Sequence, residues 1–368
     1  MTNQRLQRLR EKLDEHKLDA LFIASGESAS PANRRYLSGF SGSSGYLLIT
    51  RDDAVIATDF RYYEQAGLQA PGFRLHKAVG GLEKWLAGLL EGMGGKRIAF
   101  EAAHASYQTF RTMRKVVQDM PEAQRPKLVA TTNLVEGLRA IKEPEELDAI
   151  QAAIDLGDAA FEDVAKRIEP GWTEKRVAWE IEKYFREHGG DGPSFPSIVA
   201  GGPWGAMPHA YPRDRALEGG EAVVIDMGVQ MNGYVSDLTR TVYLGKPDDE
   251  FKRVYDTVLA AQQTAMELIE TGMTGEQAHM LAHKVIEEAG HGDDFGHGLG
   301  HGIGLQVHEA PHVAKTSKEV LADGMVFSIE PGIYVTGWGG VRIEDLVVLE
   351  DGRARVLSHA PKLTTAAT

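Results

Sequence analysis

Four acidic residues stand where acids are costly. Asp226 sits in Val223-Val224-Ile225-Asp226-Met227-Gly228, and Asp237 follows Val235-Ser236. Glu330 follows Phe327-Ser328-Ile329, and Glu344 follows Val341-Arg342-Ile343. Runs this rich in Val and Ile read as buried strands. A carboxylate on such a strand is unfavourable unless it is paired or bound to a cation. Brought together, the four carry −4. Two divalent cations cancel that charge, and one bridging hydroxide leaves a single negative charge, so the arithmetic favours a dinuclear centre. Taken singly, each acid fits a solvent-facing hairpin edge better than a buried site, since charged residues are mostly exposed. What lifts the set above that plain reading is that its members come from matching places in an internal repeat.

A histidine run supplies nitrogen. His297–Glu309 reads HGLGHGIGLQVHE, and Gly296, Gly298, Gly300, Gly302 and Gly304 alternate with His297, Leu299, His301 and Ile303. That glycine density opposes a helix. In extended form it leaves one bare face on which another chain or a ligand can lie closely, while His297 and His301 share the other. No H-E-x-x-H sequence is present, which excludes the helical zinc-peptidase motif. His301 is the expected metal ligand, and His308 a site acid or hydrogen-bond donor. His297 fits a structural place as well as a functional one. Ser194–Ala210, SFPSIVAGGPWGAMPHA, is an apolar loop that ends at His209. It is a candidate pocket wall, with a buried connecting loop as the alternative.

The elements that must position these groups are duplicated. Glu169-Pro170-Gly171-Trp172-Thr173 matches Glu270-Thr271-Gly272-Met273-Thr274 at an offset of 101. Each segment closes one helical stretch and opens another, with Thr173 or Thr274 as N-cap; Thr274 and Gln277 fit a capping box. The second helices end near Gly189 and Gly290, again 101 apart. Val223–Gly228 matches Phe327–Gly332 at an offset of 104, which Gly220 with Gly324 and Gly233 with Gly337 also keep. Each half therefore reads helix, helix, acidic hairpin. Two halves make a pseudo-twofold α+β domain with sheet inside and helices outside.

The first 140 or so residues read instead as α/β. Leu6, Leu9 and Leu13 mark a helix before a strand at Asp19–Ala24. Gly45–Thr50 and Ala54–Thr58 form a hairpin, Arg61 to Gly67 a short helix, and Arg97–Glu101 a strand. Ser106–Asp119 is helical and Leu128–Thr131 a strand. Long helical periodicity begins around Leu138–Pro144, which places the domains at 1–140 and 141–368.

Composition narrows the function. The 368 residues hold 40 Lys and Arg against 53 Asp and Glu, a net charge of −13 that disfavours a nucleic-acid partner. There is no cysteine, which excludes disulfides, thiolate zinc sites and a Cys nucleophile. No apolar run is long enough for a membrane span, and the N-terminal segment lacks an apolar signal core. The expectation is a cytoplasmic enzyme acting on a small substrate, with no membrane partner.

These segments resemble the pita-bread metallopeptidases of the aminopeptidase P and prolidase branch. The resemblance runs from about residue 145 to 361. It rests on Pro208-His209, Ile225-Asp226-x-Gly228 with Ser236–Thr241, Gly300–Gly304 with Val307-His308-Glu309, Glu330–Tyr334 and Gly340–Glu344. Tyr36–Gly42 is similar to the family's smaller creatinase-like N-terminal α/β domain. The resemblance implies that Asp226, Asp237, His301, Glu330 and Glu344 bind two divalent ions, with Asp237 and Glu344 bridging. The mostly oxygen donor set suits Mn²⁺, with Co²⁺ or Zn²⁺ also fitting. It further implies that His209 and His308 flank the scissile bond, that Glu330 shuttles the proton, and that Arg342 orients or neutralises the carboxylates. The expected substrate is a peptide with proline at its second position, and the expected assembly a homodimer. Aminopeptidase P is preferred over prolidase because Gly202–Met207 resembles short bacterial aminopeptidase P-like proteins. An exopeptidase of broader specificity and a non-catalytic peptide-binding module on the same fold are the alternatives.

Overall fold

The computed structural model describes residues 2–27 and 30–362. It divides into two compact units, Met1–Arg139 and Ala140–Thr368. The first is built on a six-stranded mixed sheet, in the order Arg74–Lys77, Ala54–Thr58, Gly45–Thr50, Ala20–Ser25, Arg97–Glu101, Lys127–Thr131. The hairpin and the strand at Arg97–Glu101 have the bounds expected from alternation. Leu6, Leu9 and Leu13 form the buried stripe of the helix Thr2–Glu15. The strand Arg74–Lys77 and the short helices Ala32–Ser38 and Leu82–Leu89 are not among the elements expected from sequence. Arg74 and Lys77 are exposed at the sheet edge, so nothing in that strand alternates clearly.

The second unit repeats one plan twice. The helices Pro144–Arg167 and Glu174–Glu187 are answered by Asp249–Leu268 and Gly275–Glu288. Thr173 and Thr274 are the N-caps, each hydroxyl accepting the amide three residues on, and Thr274 with Gln277 closes a capping box. The repeat persists in the backbone bonds. The amide of Gly171 donates to Leu217 and that of Gly272 to Leu321, while Leu217 and Leu321 donate back to Trp172 and Met273. Gly220, Gly324, Gly233 and Gly337 all turn with φ between 79° and 89°, a region that glycine enters without steric cost.

Each half buries its own core. Phe161, Val177, Ile181 and Phe185 pack against Val199, Val223, Ile225 and Val242. Phe251, Val258, Ala282 and Ile286 pack against Phe327, Ile329, Val341 and Val347. The inner strands are therefore nearly continuous apolar runs, which is why the acids in them stand out. In the first half, Ala222–Met227 lies between Ile198–Gly201 and Leu238–Tyr243. In the second, Val326–Ile329 lies between Gly300–Gly302 and Asp345–Glu350. The glycine run is a strand only over Gly300–Gly302, shorter than its alternation suggests. A Cβ at Gly300 would sit 1.8 Å from the carbonyl oxygen of Ser328, and one at Gly302 2.0 Å from that of Ala310. Close backbone approach, as expected of a bare face, governs that segment.

If the two caps do equivalent work, Thr173→Ala and Thr274→Ala should each lower unfolding free energy by about 0.5–2 kcal/mol. Urea denaturation checks this; a loss at one position only would contradict the equivalence of the two halves.

Candidate metal centre

All four acids and His301 line one cavity of about 520 Å³ in the second unit. Each is placed by a strand. Asp226 lies within Ala222–Met227 and pairs in register with Thr239. Asp237 immediately precedes Leu238–Tyr243, Glu330 immediately follows Val326–Ile329, and Glu344 immediately precedes Asp345–Glu350. His301 is the middle residue of Gly300–Gly302. The halves are joined at Thr239: its carbonyl accepts the Glu344 amide at 3.0 Å, and its hydroxyl donates to Glu344 Oε2 at 2.7 Å.

Ligand atoms of Asp237, His301 and Glu344 lie within 4.8 Å of one another. His301 Nε2 is 3.6 Å from Asp237 Oδ2 and 3.3 Å from Glu330 Oε1. Asp226 faces the same cavity with its Oδ2 held 2.5 Å from Arg342 Nη2. Asp226, Asp237 and Glu344 are at most 9% exposed. Asp226 Oδ1 and Glu344 Oε1 are buried with no hydrogen-bond partner among the described residues. Each of these two carboxylates thus has one oxygen anchored by protein and one left bare. Unpaired buried carboxylate oxygens are strongly unfavourable, whereas a divalent cation uses such donors. The donor set therefore fits the metal that the sequence implied.

The charges press the same way. Burial raises the Asp237 carboxyl well above its ordinary range, and Glu344, Asp226 and Glu330 add to the rise. Burial likewise raises Glu344, reinforced by Glu330 and Asp226. Glu330 is pushed up to about 7 by burial, against the pull of Arg342. Burial alone would lower Arg342, but Tyr334, Asp226 and Glu330 outweigh it and keep the guanidinium firmly charged. Burial lowers His301 and also His308, the latter helped by His301 and His209, so both imidazoles favour their neutral, ligand-ready form.

The remaining expected residues are close at hand. His209 and His308 line the cavity, and the His308 ring lies 4.2 Å from that of His301. His297 lines it too, but is fully engaged. Its Nδ1 is 2.7 Å from the Gly298 carbonyl and its Nε2 2.9 Å from the Tyr334 hydroxyl. Arg342 Nη1 donates to the same hydroxyl at 2.9 Å. Burial pushes Tyr334 up to about 12 and, with Arg342, lowers His297 to about 4. The phenol therefore keeps its proton and donates it to a neutral imidazole. This chain orients Arg342 and gives His297 a positioning place.

Three residues that steady the ring were not singled out from sequence. Tyr334 and Thr239 hold Arg342 and Glu344, and Ser328 donates to Glu330 Oε1 at 2.9 Å while accepting the His301 amide at 3.0 Å. All are uncharged, so charge counting passes over them, yet each lies beside an acid in the motifs already described.

Comparison with known proteins agrees with this geometry. Residues 148–351 match metallopeptidase family M24, and residues 5–141 match the creatinase/prolidase N-terminal domain. The chain is 33% identical to an Xaa-Pro dipeptidase of Pyrococcus furiosus, over 98% of this chain and 99% of that one. The structure resembles that of an Xaa-Pro dipeptidase from Bacillus anthracis with a TM-score of 0.92, 36% identity and 99% of each chain covered. It resembles an X-Pro aminopeptidase from Thermotoga maritima with a TM-score of 0.89 and 34% identity, covering 98% of this chain and 99% of that one.

Because these carboxyls hold protons in the metal-free protein, cation uptake should release protons. Affinity should weaken as pH falls through about 7, where Glu330 becomes protonated, by up to about tenfold per pH unit for each proton displaced. Calorimetric Mn²⁺ titration on either side of neutrality, in buffers of different ionisation enthalpy, measures both; affinity independent of pH would contradict the protonated ring.

Proposed function

The chain belongs to metallopeptidase family M24, and from that premise we propose that it is an Xaa-Pro dipeptidase working with two Mn²⁺ ions. The observation that carries the proposal is the ring of buried carboxylates with bare oxygens around His301, in a cavity whose lining also includes the apolar Phe195, Pro196, Ile198 and Val307. The aminopeptidase expectation drawn from Gly202–Met207 gives way because the P. furiosus relative and the B. anthracis structure are both dipeptidases. The T. maritima structure keeps the X-Pro aminopeptidase as a second reading. The homodimer implied by the family resemblance and the cytoplasmic location expected from composition go with the proposal.

Asp226, Asp237, His301, Glu330 and Glu344 would hold the ions, and four carboxylates with one imidazole suit Mn²⁺ better than a softer ion. When bound, the ions would lower the pKa of water and polarise the scissile carbonyl. The rest falls to the chain itself. Glu330, on the cavity beside the reacting atoms, would take a proton from the attacking water and hand it to the prolyl nitrogen. That nitrogen is a tertiary amide with no N–H, so the bond cannot be recognised through a donor there and its leaving group must be protonated. His308, neutral through burial, and His209 donate N–H bonds to the developing oxyanion. Arg342 holds Asp226 in place, and is itself fixed by Tyr334. The apolar lining receives the proline ring.

After chelation and Mn²⁺ restoration, the protein should cleave an Xaa-Pro dipeptide and leave an Xaa-Pro-Xaa tripeptide intact. Comparable cleavage of the tripeptide would establish the aminopeptidase reading instead. Replacing a residue that merely supports a metal ligand typically costs 10–100-fold. Asp237→Ala or Glu344→Ala, which remove a bridge, should therefore lower kcat by more than about 100-fold while circular dichroism shows the fold retained. Near-normal turnover would contradict the assigned bridges.

A further inference from the structure

A second pair of buried, unpartnered ligand atoms lies outside the carboxylate ring. His279 and His283 are four residues apart on the helix Gly275–Glu288, so both rings project from one face. Nδ1 of each is buried and has no hydrogen-bond partner among the described residues. His279 is 2% exposed. Both rings line a cavity of about 670 Å³, whose charged lining residues are Glu287, Asp293 and Lys315. Two acids against one ammonium leave that lining net acidic. Glu287, one further turn along the same helix face, is exposed and lines the same cavity.

Ring packing accounts for part of this arrangement. His279 and His283 lie 5.5 Å apart and flank Phe295 at 5.3 and 6.0 Å. Packing alone would be served better by apolar side chains, since a buried ring nitrogen without a partner is unfavourable. Two such nitrogens on one helix face, on residues that line one cavity, form the donor pattern that an i, i+4 histidine pair offers to a metal.

We propose that His279 and His283 form a transition-metal site separate from the carboxylate ring, with Glu287 and water completing the coordination. Two imidazole ligands select a borderline ion such as Zn²⁺, Ni²⁺ or Cu²⁺ over Mn²⁺ or Mg²⁺. Burial lowers His279 to about 4, aided by His283 and Lys315, which leaves that ring unprotonated and available at neutral pH. The site adjoins the catalytic cavity: His297, Gly298 and Ala314 line both, and Phe295 touches His279, His283 and His297 alike.

Equilibrium dialysis of the full-length chain against Zn²⁺ alone, with bound metal counted by atomic emission, tests the proposal. His279→Ala and His283→Ala should each lose one Zn²⁺ per chain relative to the wild type. Uptake from Mn²⁺ alone should be the same in all three. Equal Zn²⁺ counts overturn the site. Because His279 is buried, crystals of the wild type soaked in Zn²⁺ give a readout free of any folding defect. A zinc-edge anomalous peak about 2.0–2.1 Å from a nitrogen of both rings supports the site, and zinc confined to the carboxylate ring overturns it. Neither outcome bears on peptide hydrolysis, so the dipeptidase reading stands or falls separately.

Discussion

Burying four carboxylates against one another is the constraint on which the second unit is organised. Left to themselves, Asp226, Asp237, Glu330 and Glu344 would repel each other in a medium that screens poorly. Arg342 offsets one charge through Asp226, and the hydroxyls of Thr239 and Ser328 each satisfy one carboxylate oxygen. The bare oxygens of Asp226 and Glu344 remain. A pair of divalent cations would resolve this arrangement where further hydrogen bonds do not. The same unfavourable energy, removed on binding, would become affinity for the ions.

The duplicated scaffold makes such a ring attainable. One helix-helix-strand plan, used twice, brings together Asp226 within a strand and Asp237, Glu330 and Glu344 at strand ends. The halves are not interchangeable, however. The first contributes two aspartates, and the second contributes two glutamates and the imidazole, because the strand beside the central one in the first half, Ile198–Gly201, carries no histidine where Gly300–Gly302 carries His301. Gly300 and Gly302 admit the neighbouring backbone so closely that no other residue fits, and this approach brings His301 to Glu330 and Asp237. Metal chemistry and backbone packing are thus linked at one strand.

Much of this was legible in the residues. Thr173 and Thr274 announced their helices through cap chemistry, and the offsets of 101 and 104 announced the duplication. The acids were conspicuous because alternation fails in strands buried on both faces, so any charge there is an exception. What stayed hidden has physical causes too. Tyr334 matters through a hydroxyl shared by His297 and Arg342, a relation across the fold that no local pattern encodes. His297 looked as suited to chemistry as His301; only the partners of both its nitrogens separate them. The edge strand Arg74–Lys77 is half exposed and was invisible to periodicity. The pair His279 and His283 lies in an ordinary amphipathic helix, where its spacing is common and only burial without partners gives it meaning.

Anomalous diffraction at the manganese edge, from crystals grown with Mn²⁺, tests the central claim most directly. Two peaks enclosed by Asp226, Asp237, His301, Glu330 and Glu344, each ion touching the bridging acids Asp237 and Glu344, are the predicted result. A fully loaded crystal with manganese elsewhere, and those carboxylates still holding only protons, would contradict it.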